Sequence, residues 1–205
     1  MTTIIGFQGD NFALVCSDSR ISDVDSTGYI SQIMTLRDGN SKIAANGRYL
    51  LGAAGDMRAI NILHHAFNPP TPPANLKGKK LDEFITVRFI PALRECFEQQ
   101  GYAVPESHED KRHMAEQDST IIVVIHGSIY VIDGDYSWLT DSSGFYVLGT
   151  GSPYALGALQ AMVGTKKIKM PSQARSLCLK ALAIAAKNDP HTGAPFQTFV
   201  QEQKK

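Results

Sequence analysis

The sequence has no excess of charge of either sign and no long hydrophobic run. Its 20 lysine and arginine residues balance 20 aspartate and glutamate residues, so its net charge does not favour nucleic acid, an anionic membrane or a polyanionic substrate as a partner. No stretch reaches the roughly eighteen apolar residues of a membrane span, and the first residues lack the basic and apolar regions of a signal peptide. We therefore expect a cytoplasmic protein that binds neither nucleic acid nor membrane.

Cysteine is scarce. The three cysteines, Cys16, Cys96 and Cys178, are far apart in the sequence and form no CxxC pair. This usage favours buried free thiols in a reducing compartment over a disulfide framework. Because Cys16 lies within a predicted strand, we interpret it as a packed thiol rather than a nucleophile.

The sequence also lacks the motifs of common metal, nucleotide and serine-hydrolase sites. Neither the adjacent His64 and His65 nor the pair His108 and His113 has HExxH spacing. The stretch YVLGTGSPYALG begins like a phosphate-binding turn, but Tyr154 stands where GxGxxG requires its third glycine, and no Walker lysine follows. No GxSxG elbow is present. We therefore predict neither a metal nor an organic cofactor.

Length and composition fit one globular domain over 1–205. With 43% hydrophobic residues, the chain is long enough to bury one core. The predicted elements come in blocks of strands, helices, strands and helices, which favours an α+β fold of two stacked sheets with helices outside over a regular βαβ winding. Strands are predicted over 2–7, 12–17, 41–56, 119–139, 145–151 and 196–201, helices over 56–67, 81–100, 152–162 and 171–187, a polar connection over 19–40, and loops over 68–80 and 101–119.

The first two strands form a predicted hairpin. A glycine-first turn at 9–10 would pair Phe7 with Phe12 and Thr2 with Ser17. Both faces of this hairpin are apolar, so we expect it to be covered on both sides.

The amino terminus offers chemistry that these motifs do not. An α-amino group has a pKa near 8, roughly 2 units below that of lysine, so an appreciable fraction is free base at neutral pH. If Met1 is removed, Thr2 carries that amine beside its own hydroxyl, and base and nucleophile belong to one residue. The predicted hairpin brings Asp18 within about one residue of Thr2, where Asp18 can hold a lysine.

Five segments carry a resemblance to a known family: TTIIGF, ALVCSDSR, SKIAANGRYLLGAAGD, LGTGSPYALGALQA and KALAIAAKNDPHTGAPF. In this order they resemble the blocks of proteasome β subunits and their bacterial relatives, the N-terminal threonine hydrolases. The likeness covers most of the chain. It implies a four-layer αββα sandwich, which agrees with the stacked sheets predicted above, and it implies hydrolysis of peptide bonds.

The resemblance also implies which residues carry the chemistry. Thr2, rather than Thr3, matches the nucleophile because it stands sixteen positions before Asp18, which is the family's interval. Lys42 matches the lysine beside the threonine, after a segment several residues longer than usual, and Asp18 orients it. Gly52 falls where a backbone N–H donates to the oxyanion, a position that tolerates no bulky side chain close to substrate.

Three further residues, Thr150, Asp189 and Thr192, match the hydroxyl, carboxylate and hydroxyl that position the free amine. The family usually has serine at both threonine positions. Threonine keeps the hydroxyl but adds a methyl group and restricts χ1, so the positioning of the amine can differ here.

Substrate and partners follow from the same resemblance. Ile21, Leu50 and Ala54 match residues that border the specificity pocket, which implies apolar side chains before the cleaved bond. The expected substrate is a peptide or unfolded protein. The expected assembly is a homo-oligomeric ring whose threonines face an enclosed chamber and which an ATP-driven unfoldase feeds.

Structural interpretations of these residues stay open. Asp18 and Asp189 can cap or end elements, Lys42 can be a surface lysine, and Thr150 and Thr192 can be ordinary turn residues.

Two other functions stay open as well. The chain can be a non-catalytic structural subunit of such a ring, in which a retained Met1 blocks the amine of Thr2. It can also be an amidohydrolase that acts on a small amide through the same nucleophile.

Overall fold

The structure is a computed structural model that describes residues 2–37, 39–74, 76–102 and 118–203. Most of the predicted loop 101–119, including His108 and His113, lies outside the described residues, as does Met1. The strands are β1 Thr3–Gln8, β2 Phe12–Ser17, β3 Arg20–Val24, β4 Ile30–Thr35, β5 Ile43–Asn46, β6 Tyr49–Ala54, β7 Thr120–Ile125, β8 Ser128–Ile132, β9 Trp138–Leu139, β10 Phe145–Gly149 and β11 Gln197–Glu202. The helices are α1 Met57–His65, α2 Lys79–Phe84, a π-helical turn Ile85–Phe89 that continues into α3 Ile90–Gln99, α4 Ser152–Val163 and α5 Pro171–Asn188.

The strands form three antiparallel sheets. One sheet has four strands in the order β10-β1-β2-β11, and a second has five strands in the order β5-β6-β7-β8-β9. Strands β3 and β4 form a separate two-stranded sheet. In the part of the chain that the structure describes, no helix is both long enough and apolar enough to cross a membrane.

The register of the first hairpin differs from the prediction. Strand β1 pairs Phe7 with Leu14 rather than with Phe12, because the central turn residues are 10–11 instead of 9–10, and Gly9 N–H donates to the Phe12 carbonyl at 2.8 Å. A Cβ on Gly9 would overlap the Phe12 ring, so packing against that ring, and not a central turn position, favours glycine here. A shift of two residues leaves each side chain on its predicted face, and both strands are buried as predicted.

A second hairpin was missed in the polar connection 19–40. Strands β3 and β4 pair antiparallel there, and β4 is largely exposed. Its polar residues hide the alternation on which strand prediction depends.

Three buried clusters hold the elements together. The first lies between the five-stranded sheet and the helices from α1 to α3, the second between the four-stranded sheet and helices α4 and α5, and the third between the two sheets. The predicted combination of sheets and helices is confirmed. Representative members are Leu63, Phe97 and Val123 in the first cluster, Leu14, Leu159 and Leu182 in the second, and Ile4, Val15 and Ile122 in the third.

Several chain segments meet at one end of the four-stranded sheet. Strand β1 begins there, and β2 and β10 end there, since Thr3 pairs with Gly149 and Ile4 with Ser17. Strand β11 begins at the same end, where Gln197 pairs with Ser17. Antiparallel pairing therefore gathers the residues that flank these strand ends, although they are distant in sequence.

Candidate active site

Asp18 fixes the backbone at the start of β1. It directly follows β2, and its N–H donates to the Thr3 carbonyl at 3.2 Å. Its Oδ1 accepts the Thr3 N–H at 3.0 Å. That N–H belongs to the peptide bond joining Thr2 to Thr3. The Asp18 carboxylate therefore contacts the backbone immediately after Thr2.

Lys42 reaches the same carboxylate. Its Nζ lies 2.7 Å from Asp18 Oδ1 and 2.6 Å from the Arg20 carbonyl oxygen, and both side chains of the ion pair are fully buried. Burial lowers the pKa of Lys42, while the charge of Asp18 and its hydrogen bond oppose that shift. A buried ion pair contributes little to stability because desolvation offsets the attraction, so its presence points towards chemistry.

A second buried carboxylate, Asp189, follows helix α5. Its Oδ2 accepts hydrogen bonds from Thr150 Oγ1 at 2.8 Å and from Thr192 Oγ1 at 2.5 Å. Thr192 Oγ1 also lies 2.6 Å from Thr3 Oγ1. Because a hydroxyl has one hydrogen and Thr192 donates its own to Asp189, the Thr3 hydroxyl is the donor to Thr192.

Thr2 itself joins this network through its backbone carbonyl. It is almost fully buried, and its carbonyl accepts the Thr150 N–H at 3.1 Å. Gly149 has φ = 90°, and a Cβ there would overlap the Thr2 carbonyl oxygen, so only glycine fits. The structure thus brings Thr2, Asp18, Lys42, Thr150, Asp189 and Thr192 into one connected network.

A Cα hydrogen of Gly52 faces the side chains packed between the two large sheets. A Cβ on Gly52 would contact the side chains of Ile43, Ile122 and Ile4, so packing between the sheets explains the glycine. The assignment of the Gly52 N–H as an oxyanion donor concerns the backbone, so this packing does not test it and it stays a prediction. The pairing of β5 with β6 ends at Gly52, whereas the pairing of β7 with β6 extends to Ala54.

The three predicted specificity residues lie in different surroundings. Ile21 is half-buried on β3, and Ala54 is half-buried at the end of β6. Leu50 is 8% exposed and belongs to the cluster between the sheets, so it presents little surface to a substrate. These residues line neither of two surface cavities of about 390 and 440 Å³ formed by described residues.

Comparison with known proteins bears on this arrangement. No protein-family model matches the chain, and no curated protein is similar to it in sequence. Solved structures do match. BPH of Thiobacillus denitrificans in complex with epoxomicin has a TM-score of 0.68 at 18% identity, over 99% of this chain and 100% of that one.

Two further solved structures are similar to this chain over nearly its whole length. A second structure of BPH from Thiobacillus denitrificans has a TM-score of 0.71 at 20% identity, over 98% of both chains. Eukaryotic HslV from Trypanosoma brucei has a TM-score of 0.59 at 17% identity, over 98% of this chain and 99% of that one. Both proteins are proteasome-like N-terminal nucleophile hydrolases. This chain has their fold.

Sequence reasoning missed three contributors to the site. Thr3 enters the network through both its N–H and its hydroxyl, although the sequence presented it only as a rejected nucleophile. Ser22 and His191 meet at 2.8 Å, and nothing in the sequence pairs residues so far apart.

Within the described ranges, no group of three or more histidine, cysteine, aspartate or glutamate residues can hold a metal ion.

Proposed function

We propose that the chain is a threonine-type endopeptidase subunit of a proteasome-like ring, with Thr2 as the nucleophile after removal of Met1. The observation that carries this proposal is the buried Lys42–Asp18 ion pair at the peptide bond between Thr2 and Thr3. It supplies a fixed positive charge next to the only residue that can combine an amine with a hydroxyl.

In the proposed reaction the Thr2 amine takes the proton of the Thr2 hydroxyl as Oγ1 attacks the peptide carbonyl carbon. The Gly52 N–H donates to the oxyanion that forms, and the Lys42 ammonium stabilises the developing negative charge. The amine, now protonated, gives its proton to the departing amine of the substrate as the C–N bond breaks. Water then hydrolyses the ester on Thr2 and restores the free hydroxyl.

Asp189, Thr150 and Thr192 position the amine in this scheme. Their hydroxyl–carboxylate contacts are short, and the one from Thr192 is buried. The Thr3 hydroxyl and the Thr2 carbonyl connect the amino-terminal strand to them. A nucleophile held this rigidly needs little reorganisation to react.

The architecture, assembly and specificity belong to the same proposal. Two sheets that share a buried cluster, with helix-contacting clusters beyond each, support the αββα sandwich. The likeness to BPH and HslV supports a homo-oligomeric ring with an ATP-driven unfoldase as partner. Ile21 and Ala54 suit apolar side chains before the cleaved bond, and the cytoplasm is the proposed location.

The test compares the wild-type chain with Thr2→Ala and the matched variant Thr2→Ser. We expect intact mass to show loss of Met1, fluorogenic peptides with apolar residues to be cleaved, Thr2→Ala to be inactive, and Thr2→Ser, which keeps a hydroxyl, to retain activity. Retained Met1 with no cleavage would favour the non-catalytic subunit. Cleavage of small amides but of no peptide would favour the amidohydrolase.

A further inference from the structure

Two chain segments carry the two carboxylates of the site. The first, 18–22, which we call the lysine segment, contains Asp18 and runs into β3. The second, 189–193, which we call the amine segment, contains Asp189 and Thr192. The distance between the two carboxylates depends on how these two segments are held together.

Three hydrogen bonds join the segments through residues 18–20. Ser19 N–H donates to the Gly193 carbonyl at 3.0 Å, and Gly193 N–H donates to Asp18 Oδ2 at 3.1 Å. Arg20 Nη1 donates to the Pro190 carbonyl at 2.8 Å. These contacts fix the lysine segment only as far as Arg20.

A fourth contact lies further along β3. Ser22 Oγ is 2.8 Å from His191 Nδ1, Ser22 is buried, and the backbone N–H of His191 donates to Asp189 Oδ1 at 3.2 Å. His191 therefore touches both the carboxylate of the amine segment and the strand that carries Ile21.

The β3–β4 hairpin has little other support. Outside the undescribed residues it pairs with no third strand, and a two-stranded hairpin is barely stable by itself. Among the residues that the structure describes, the Ser22–His191 contact is the only hydrogen bond between 21–24 and a residue outside β3 and β4.

We propose that His191 is a positioning residue, which acts through Ser22 to hold β3 at a fixed distance from the amine segment. This inference rests on the function proposed above. In that function β3 lies beside the substrate and the amine segment orients the Thr2 amine, so their spacing sets the alignment of the scissile carbonyl with Oγ1. A misplacement of about 1 Å can slow such a reaction by as much as roughly a hundredfold.

The experiment measures peptide hydrolysis by the full chain in its native assembly. It compares His191→Ala, Ser22→Ala, the double variant and His191→Asn, whose amide can take the place of imidazole Nδ1. Each kcat is divided by the number of sites that a threonine-directed epoxyketone titrates, so a misfolded fraction does not count.

We expect each alanine variant to lower kcat about tenfold, since a small misplacement of β3 weakens the alignment of the scissile carbonyl, with KM changed less than about twofold. The double variant should lose no more than either single variant. His191→Asn should recover kcat to within about threefold of wild type, a rescue that simple loss of packing does not give.

Three results would overturn the inference while leaving the proposed function intact, provided that Thr2→Ala is inactive. These are an unchanged kcat in His191→Ala, a loss of about a hundredfold in the double variant, and His191→Asn as slow as His191→Ala. Hydrolysis that survives Thr2→Ala would instead remove the proposed function and this inference with it.

Discussion

The two buried carboxylates of the site differ in the charge of their partners. Asp18 forms an ion pair with Lys42 and accepts three backbone N–H groups. Asp189 accepts two hydroxyls and one backbone N–H, and in the described part of the chain no lysine or arginine forms an ion pair with it. The charge of Asp18 is thus balanced by direct contact, whereas among the described residues Lys42 acts on Asp189 only from a distance beyond an ion pair. In our account the protonated amine of Thr2 is the cation that contacts Asp189.

Removing the balanced carboxylate should have the largest effect. Asp18→Ala leaves the buried ammonium of Lys42 without its counter-charge and three backbone N–H groups without an acceptor. We expect a loss of about 3–5 kcal/mol in the free energy of unfolding, together with loss of peptide hydrolysis. Denaturant titration followed by circular dichroism measures the first.

The control for that experiment removes both charges. Asp18→Asn combined with Lys42→Met should recover most of the lost stability, since no buried charge is left unpaired, and should remain inactive. A double variant as unstable as Asp18→Ala would show that the ion pair is not the source of the loss.

Neutralising the unbalanced carboxylate should affect activity more than stability. Asp189→Asn keeps the shape and part of the hydrogen bonding, so we expect about 1 kcal/mol of destabilisation and a decrease of about a hundredfold in kcat/KM. A carboxylate favours the protonated amine, so its loss lowers the pKa of the Thr2 amine. The acidic limb of the pH–kcat/KM profile should therefore move to lower pH, and an unmoved limb would place Asp189 away from the amine.

The sequence predicted both carboxylates of the site but not every contact around them. The spacing from Thr2 to Asp18, and the resemblance that matched Lys42, Asp189 and the two threonines, named residues that the structure brings together. That reasoning depends on local patterns and ordered blocks. It could not find the contact between Ser22 and His191, which are 169 residues apart.

The fold also has features that the sequence alone did not predict. Alternation of apolar residues predicted the faces of β1 and β2, but the turn lies one residue later than predicted, and the Phe12 ring packs over Gly9. The sequence explained the lack of a side chain at Gly52 by a nearby substrate, and it could not show that the Ile43, Ile122 and Ile4 side chains already crowd that position. Both glycines lie against side chains whose packing a single sequence does not display.

The hydroxyls around Asp189 permit a finer comparison. Thr192→Val removes the hydroxyl that bridges Asp189 and Thr3, so we expect about 1–3 kcal/mol of destabilisation. Thr192→Ser keeps that hydroxyl and should stay within about 1 kcal/mol of wild type. Thermal unfolding of the two variants side by side measures the difference, and equal losses would argue that the methyl group matters rather than the hydrogen bond.

The smallest expected effect is on the pH dependence of stability. Burial lowers the pKa of Lys42 in the folded state, so between that pKa and about 10.4 the unfolded chain binds more protons than the folded one. The free energy of unfolding due to this group therefore rises with pH in that window. Unfolding of wild type and Lys42→Met across mildly alkaline pH tests this, because the variant lacks the rise, and parallel curves would contradict it.

The identity of the nucleophile is tested most directly by peptide mapping of the protein after reaction with a threonine-directed epoxyketone. Our account predicts an amino-terminal peptide that begins at Thr2 and carries one equivalent of inhibitor, and no adduct in Thr2→Ala. An amino-terminal peptide that still begins with Met1 and stays unmodified, while another residue is labelled or none is, would contradict it.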